Sequence, residues 1–333
     1  MKRSFVRAKS GPEVPCLFAR TGNLSHVAPC LELMKASRTV YDEAVWAALP
    51  LMFRSLLSSG AMQLSVVELR GPDGPTLVAF CGSLFVADSF CREACAPVTP
   101  YLGEEVARRY LDQRLPILER DAIAFLNGRT GVSVIVCYCG RAADPLPAGW
   151  LLLIREKLAE AFGMTYSGYN LKEILFAPLG EEALRWTLDA GLRLRSDYAE
   201  FYETHPKPDP TLRPWLVGMT RDEALAEYGS RASGLFVFTP PRFSFTRAEQ
   251  MVLRQSLAGD TDLEIASHLA VSRWTVKKRW QSIYDRVDGI DDHLLPSNGR
   301  NQESGARGAE RRRHLLAYLR QHLEELRPLS VAL

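Results

Sequence analysis

Nothing in the 333 residues is long and apolar enough to span a bilayer; the apolar run Trp150–Ile154 is stopped at once by Arg155, Glu156 and Lys157. An export leader is missing too, because the opening MKRSFVRAKSGPEVP is basic but has no apolar core. Both absences point to a cytoplasmic protein whose seven cysteines stay reduced. Those cysteines lack metal-site spacing: Cys91 and Cys95 are four apart, Cys137 and Cys139 two apart, and no CxxC occurs. Strand spacing places Cys137 and Cys139 on one face, where a zinc site or redox pair is one reading and small buried hydrophobes the simpler one. The six histidines are scattered without an HExxH pattern, so neither a metal nor a cofactor is expected. Charge bias is absent as well, with 41 Lys and Arg against 39 Asp and Glu, a net +2. That balance says nothing about partners by itself; the distribution matters more, because a small basic element can bind phosphate while the rest of the chain stays balanced. No internal repeat is visible.

What remains is an ordinary globular composition, 47% hydrophobic and 24% charged, in a chain longer than one typical domain. Apolar spacing from Val40 to Leu57 is helical and ends at Gly60. MQLSVVELR and TLVAFCGSLFVA flank the turn GPDGP and read as a β-hairpin. Helical patterns follow at Glu104–Asp112 and Leu118–Leu126, and Val132–Cys139 reads as a buried strand. Trp150–Phe162, Leu171–Phe176 and Glu181–Ala190 read as helices, with Gly234–Phe238 as a last strand. The fold class expected is an α+β N-terminal domain, a mixed sheet with hairpin and helices, followed by a small all-α helix-turn-helix domain. Its divisions are an arm at 1–29, the α+β domain at 30–238 with a sensory or oligomerising role, and a proline-bearing linker at 239–245. The helix-turn-helix occupies 246–287. A flexible polar insert at 288–308 and a C-terminal helix at 309–333 complete the chain.

Residues 246–287 carry the densest signal. Thr246 with Glu249 and Thr261 with Glu264 are capping boxes, in which hydroxyl and carboxylate satisfy each other's free amides. The first helix buries Val252, Leu253 and Leu257; the second, short helix carries Ile265, Ala266 and Leu269. Ser272 caps a third helix on which Val276, Trp280, Ile283 and Val287 follow 3.6-residue spacing and face inward. Its outward side presents Arg273, Trp274, Lys277, Lys278 and Gln281, a surface suited to phosphates and base edges.

In these residues the segment resembles the DNA-binding domain of the LuxR/NarL family, whose pattern runs T-x-x-E, G-x-[ST]-x-x-E-I-A, S-x-x-T-V-K and I-Y. Thr246, Glu249, Gly259, Thr261, Glu264, Ile265, Ala266, Ser272, Thr275, Val276, Lys277, Ile283 and Tyr284 stand in register with it. Arg279 replaces a common His, Trp280 a smaller aliphatic, and the polar insert separates the third helix from the next. The resemblance implies a non-enzymatic transcription regulator bound to duplex DNA at a two-fold operator, with the recognition helix 273–286 in the major groove. Lys277, Lys278 and Gln281 are then expected at bases and Arg273, Thr275 and Arg279 at phosphates, with the capping Ser272 also among the DNA-binding residues. Further expected partners are an unknown small-molecule or protein effector, RNA polymerase and a second copy of the chain. Leu316, Leu319, Leu323 and Leu326 would form the homodimer seam, and the basic run RGAERRR would touch phosphate.

No phospho-acceptor pattern and no acyl-homoserine-lactone cluster appear in the N-terminal half. The alternative reading is an acyltransferase-like, acetyl-CoA-binding enzyme, or a degenerate sensor of that kind, with an appended DNA-binding module. On that reading PYLGEEVARRYL supplies the helix after the central strand, with Gly103 in place of a full Gly-rich phosphate loop. Glu104–Glu105 and Glu181–Glu182 are adjacent pairs that point apart on a helix, and Tyr166 and Tyr169 read as packing residues. No catalytic residue is assigned.

Overall fold

In the computed structural model, which describes residues 16–37, 41–71, 74–95, 100–142, 149–296 and 304–330, the two β-branched runs pair as the hairpin requires. Strand β2 (Met62–Gly71) lies antiparallel to β3 (Gly74–Val86) from Met62↔Leu84 to Gly71↔Gly74. The two central turn residues, 72 and 73, lie outside the described residues. β1 (Leu17–Thr21) adds to the free edge of β2, and β4 (Val132–Arg141) adds antiparallel to β3. β5 (Leu171–Phe176) is parallel to β4, and β6 (Arg193–Ser196) and β7 (Leu216–Thr220) complete one seven-stranded mixed sheet of order β1-β2-β3-β4-β5-β7-β6.

Helices cover both faces. Strand alternation sends Phe80, Leu84 and Ile135 to one face and Cys81, Phe85, Val134 and Val136 to the other. On the first face pack α1 (Val27–Ala36), α2 (Glu43–Ser59), α3 (Asp88–Cys95), α4 (Leu102–Leu111) and the short α8 (Ala199–Thr204). On the second lie α5 (Arg120–Asn127), α6 (Trp150–Tyr166) and α9 (Arg221–Ala226), with α7 (Glu181–Asp189) beside β7.

Three readings of this region change. Residues 17–29, expected in a loose arm, contain β1 and the start of α1; residues 1–15 lie outside the described residues. Leu171–Phe176 is a strand, not a helix. Six residues with Leu171, Ile174 and Leu175 buried satisfy either pattern, and the open edge of β4 decides between them. The last strand is β7, while Ser233–Phe236 is a 3₁₀ turn.

The remaining helices are α10 (Arg247–Ala258), α11 (Asp262–His268), α12 (Arg273–Ile290) and α13 (Ser304–Gln321). They share a core in which Val252, Ile265, Val276, Trp280, Ile283 and Val287 meet Leu315, Leu319 and Leu326. The expected linker belongs to that core: Phe243 and Phe245 are buried, and the amides of Arg242 and Phe243 donate to the carboxylate of Glu325 at 2.9 and 3.0 Å. Glu325 itself is 0% exposed. The insert at 288–308 is shorter than expected, since α12 runs to Ile290 and α13 begins at Ser304; residues 297–303 lie outside the described residues.

The expected dimer seam is used internally. Leu319 and Leu326 are buried among α10–α12, and Leu316 and Leu323 pack beside them. Two heptads gain more from an adjacent apolar face of their own chain than from a bimolecular contact. The basic run is likewise occupied: Arg311 lies over Tyr284 and pairs with Asp288, and Arg312 lies over Trp280 and pairs with Asp262 at 2.7 Å.

The chain after α13 straps this helical unit to the sheet domain. Arg327 donates to the carbonyls of Ser167 (2.8 Å) and Met164 (2.6 Å) and lies over the Tyr169 ring. Asn127 Nδ2 donates to Pro328 O at 3.0 Å, and Ser330 N to Ala124 O at 2.9 Å. Gly168 permits the closest approach: its φ is +80°, and a Cβ there would stand 2.3 Å from Glu324 Cα. Gly168→Ala is therefore expected to cost about 2–3 kcal/mol through backbone strain and the clash. Urea unfolding checks this; an unchanged midpoint would mean that the strap is not seated at Gly168.

Candidate functional site

β4 and β5 are neighbours only from Val132↔Leu171 to Val136↔Phe176, where Ala177 N makes the last bond, to Val136 O at 2.9 Å. Beyond it the chains part. β4 continues through Cys137–Arg141 on β3 alone. The segment after β5 turns toward the other side, with Leu179 bridging Pro214 and Gly180 N donating to Arg213 O at 2.7 Å. Among the described residues no strand pairs with the far edge of Cys137–Arg141; Arg141 N donates to the Ser37 hydroxyl and Arg141 O accepts from it, both at 3.4 Å, and the rest of that edge borders a wedge-shaped opening.

A β-bulge sits where the fork begins. Gly82↔Tyr138 is followed by Ser83↔Val136, which leaves Cys137 unmatched. The bulge shifts the alternation, so Ile135 and Tyr138, three residues apart, share the α1–α4 face. Cys137 packs toward that face, whereas Cys139 pairs with Cys81 on the α6 side; the two cysteines expected on one face are separated. Gly103 makes this possible. A Cβ there would lie 2.5 Å from the Tyr41 hydroxyl and 2.8 Å from the Cys137 carbonyl, and Tyr138 Oη donates to Gly103 O at 2.7 Å. Gly103 is thus a packing glycine, not part of a phosphate loop. The helix after the central strand is α6, not the PYLGEEVARRYL helix, which precedes β4.

The wedge opens into a cleft of about 730 Å³. Its walls are Cys137, Cys139, Gly140 and Arg141 of β4 with Ala142 after it, Phe176 at the end of β5 and the segment that follows to Ala183, Leu151, Ile154, Arg155 and Leu158 of α6, and Trp186 of α7. Arg155 is ion-paired with Glu182, while Glu181 has no ion-pair partner among the described residues. Tyr41 also lines the cleft; burial, with Cys137, Glu104 and Cys139 nearby, raises its hydroxyl well above the ordinary tyrosine value. Burial raises the Cys137 thiol likewise. A second cavity of about 1180 Å³ shares Leu158, Phe176 and Trp186 with the first and reaches Gly168 and Glu324. Sequence reading missed this site because it took β5 for a helix and because Tyr41 stands in no motif. Tyr166, the last residue of α6, and Tyr169 just after it, read as packing residues, are buried in the core of the second face, with the Tyr166 hydroxyl bonded to Ser83.

The residues singled out in the sequence lie elsewhere, on α12. Ser272 caps it, accepting from Thr275 N at 3.0 Å. Arg273, Lys277, Lys278 and Gln281 are exposed and Arg279 is half-buried. Lys278 lies 3.9 Å over the exposed Trp274 ring, and Gln281 donates to Asp285 at 2.7 Å.

No family model and no curated protein matches the chain. Among solved structures it is similar to mutant forms of the spermidine/spermine N-acetyltransferase SpeG of Vibrio cholerae, with 10% identity over 63% of this chain and 96% of that one, TM-score 0.37. It is also similar to a polyamine N-acetyltransferase of Drosophila melanogaster, with 11% identity over 62% and 100%, TM-score 0.35. A third is the ribosomal-protein-S5-alanine acetyltransferase of Vibrio fischeri, with 9% identity over 63% and 98%, TM-score 0.35. All three are acetyltransferases, and the expectation of a non-enzymatic transcription regulator whose partner is duplex DNA finds no support among them. The cleft lies in the sheet domain and not on α12.

The helical unit offers a titration test. Glu249 is 2% exposed and accepts from Thr246 N (2.7 Å), Ser282 Oγ (2.7 Å) and Arg286 Nε (3.1 Å). Burial opposes its charge, but Ser282, Thr246 and Arg286 outweigh burial and hold its carboxyl below the ordinary value of 4.5. A depressed folded pKa gives stability that is present above the unfolded value and is lost as pH falls through the folded one. Glu249→Gln should therefore cost about 1–3 kcal/mol at neutral pH, with the gap to the parent closing in acid. Unfolding curves over a pH series check this, and a pH-independent gap would refute it.

Proposed function

We propose that the protein is an acyltransferase-like enzyme that holds an acyl thioester in the cleft between β4 and β5. The observation that carries this reading is the fork at Val136 and Phe176. A pantetheine-type arm is extended and carries amides along its length, so it matches an unpaired strand edge such as Cys137–Arg141. Its thioester would then lie near the bulge. In acyl transfer the acceptor attacks the thioester carbon, negative charge develops on the carbonyl oxygen, the C–S bond breaks and the thiolate takes a proton. The bulged Cys137 is free of the ladder register on β3, which suits its backbone amide to the developing oxyanion. The Tyr41 hydroxyl beside it keeps its proton at neutral pH and is the candidate donor to the thiolate. Glu181, with no ion-pair partner among the described residues, is the candidate to take the proton of the acceptor.

The fit differs along such a ligand. The cleft suits an acyl-pantetheine arm, and α6 opens at Gly149 with no side-chain cap, an arrangement able to accept an anion. The preceding sequence, Ala142–Gly149, contains Pro145 and Pro147 and no Gly-rich run, so it supplies fewer amides to a pyrophosphate. The reading therefore commits to the thioester and its arm. The helical unit is read as an appended module of the LuxR/NarL helix-turn-helix type. Support comes from both capping boxes and from Ala270, which takes φ +51° in the tight turn between α11 and α12.

Acetyl-CoA is expected to raise the thermal midpoint more than an equal concentration of adenosine diphosphate, and to release free thiol when acceptor amines are supplied. Tyr41→Phe should keep the midpoint shift but slow thiol release by about 100-fold. Neither a shift nor thiol release from the parent protein would overturn the reading.

A further inference from the structure

Cys81 on β3 and Cys139 on β4 are direct register partners, and their Sγ atoms lie 3.2 Å apart. Opposed residues of an antiparallel pair have Cα atoms about 4.5 or 5.5 Å apart, both within the roughly 4.4–6.8 Å that a disulfide tolerates. Closing the sulfurs to about 2.05 Å then takes a small side-chain rotation and no backbone movement. The bulge at Cys137 creates this meeting, because it carries Cys139 round to the face of Cys81. Access is asymmetric. Both line the cleft, but Cys139 is exposed while Cys81 is 3% exposed. Of the other cysteines, Cys30 packs in the core of the opposite face with α1, and Cys137 is directed to that face too.

We infer that Cys81 and Cys139 are a dithiol site that closes to a cross-strand disulfide when a low-molecular-weight disulfide enters the cleft. The Cys139 thiol loses its proton to solvent and its sulfur attacks the disulfide. One small thiolate leaves and is protonated, and a mixed disulfide remains on Cys139. Cys81 then loses its proton and attacks the Cys139 sulfur, expelling the second small thiol. Two protein thiols are oxidised and one small disulfide is reduced to two thiols, so atoms and electrons balance. The hydrogen bond to Cys81 raises the Cys139 thiol, which makes closure slow at neutral pH and faster in alkali. The product ties the terminal half of β4 to β3 along the edge that borders the cleft. This inference stands on the thiol geometry and does not depend on the acyl-transfer reading.

The full chain, incubated with oxidised glutathione in mildly alkaline buffer, is blocked with N-ethylmaleimide and mapped by peptide mass spectrometry without reduction. A peptide joining Cys81 to Cys139 is expected, lost on reduction and accompanied by a higher thermal midpoint. Cys81→Ser should instead leave one glutathione on Cys139. If that variant does not fold, Cys139→Ser provides the complement: Cys81, buried, should gain neither a cross-link nor glutathione. Cross-linking of Cys81 to Cys30, or persistence of glutathione on Cys139 beside a maleimide-blocked Cys81 in the parent protein, would overturn the assignment.

Discussion

One extra residue in β4 governs the chemistry of the sheet domain. With Cys137 out of register, Tyr138 turns to the α1–α4 core and Cys139 to the α6 side, so the last part of β4 presents a different set of side chains from the one strict alternation would give. The same irregularity falls where β5 leaves β4, and the divergence exposes a strand edge inside the molecule instead of at its rim. Interior edges are costly unless filled or functional. Here the surrounding residues are apolar on α6 and α7 and polar at Tyr41, Arg155 and the two glutamates of α7. That mixture is what the proposed thioester and its arm would meet.

Close packing makes the bulge permanent. Gly103 lets α4 approach until only hydrogens separate it from the Cys137 carbonyl and the Tyr41 hydroxyl, and Tyr138 fastens the same turn through its own hydroxyl. A glycine that looks like a phosphate-loop remnant in the sequence is thus explained by steric need. Its neighbours Glu104 and Glu105 pair with Arg108 and Arg109 along the helix.

The helical unit is joined to the sheet domain by more than a tether. Glu325, fully buried, receives the amides of Arg242 and Phe243, and Arg327 two residues later reaches the end of α6. The segment entering the unit and the segment leaving it are therefore fastened at the same place. The larger cavity ends there as well, against Gly168 and Glu324.

The sequence alone determined the local elements whose signals are short-range: the hairpin of β2 and β3, the capped helices α10–α12 with their inward Val276, Trp280 and Ile283, and most helix positions. Such features depend on neighbouring residues, so caps, turns and 3.6-residue spacing suffice to specify them. Only the tertiary structure decided the rest. Leu171–Phe176 became a strand because β4 needed a parallel partner, which periodicity over six residues cannot reveal. Leu319 and Leu326 turned inward because α10–α12 offered them a face. Phe243 and Phe245 made a core of what two prolines suggested was a linker. The meeting of Cys81 with Cys139, 58 positions apart, and of Tyr41 with Cys137 followed from sheet register and one bulge. Contacts of that kind are fixed by pairing between distant segments, and no local spacing carries them.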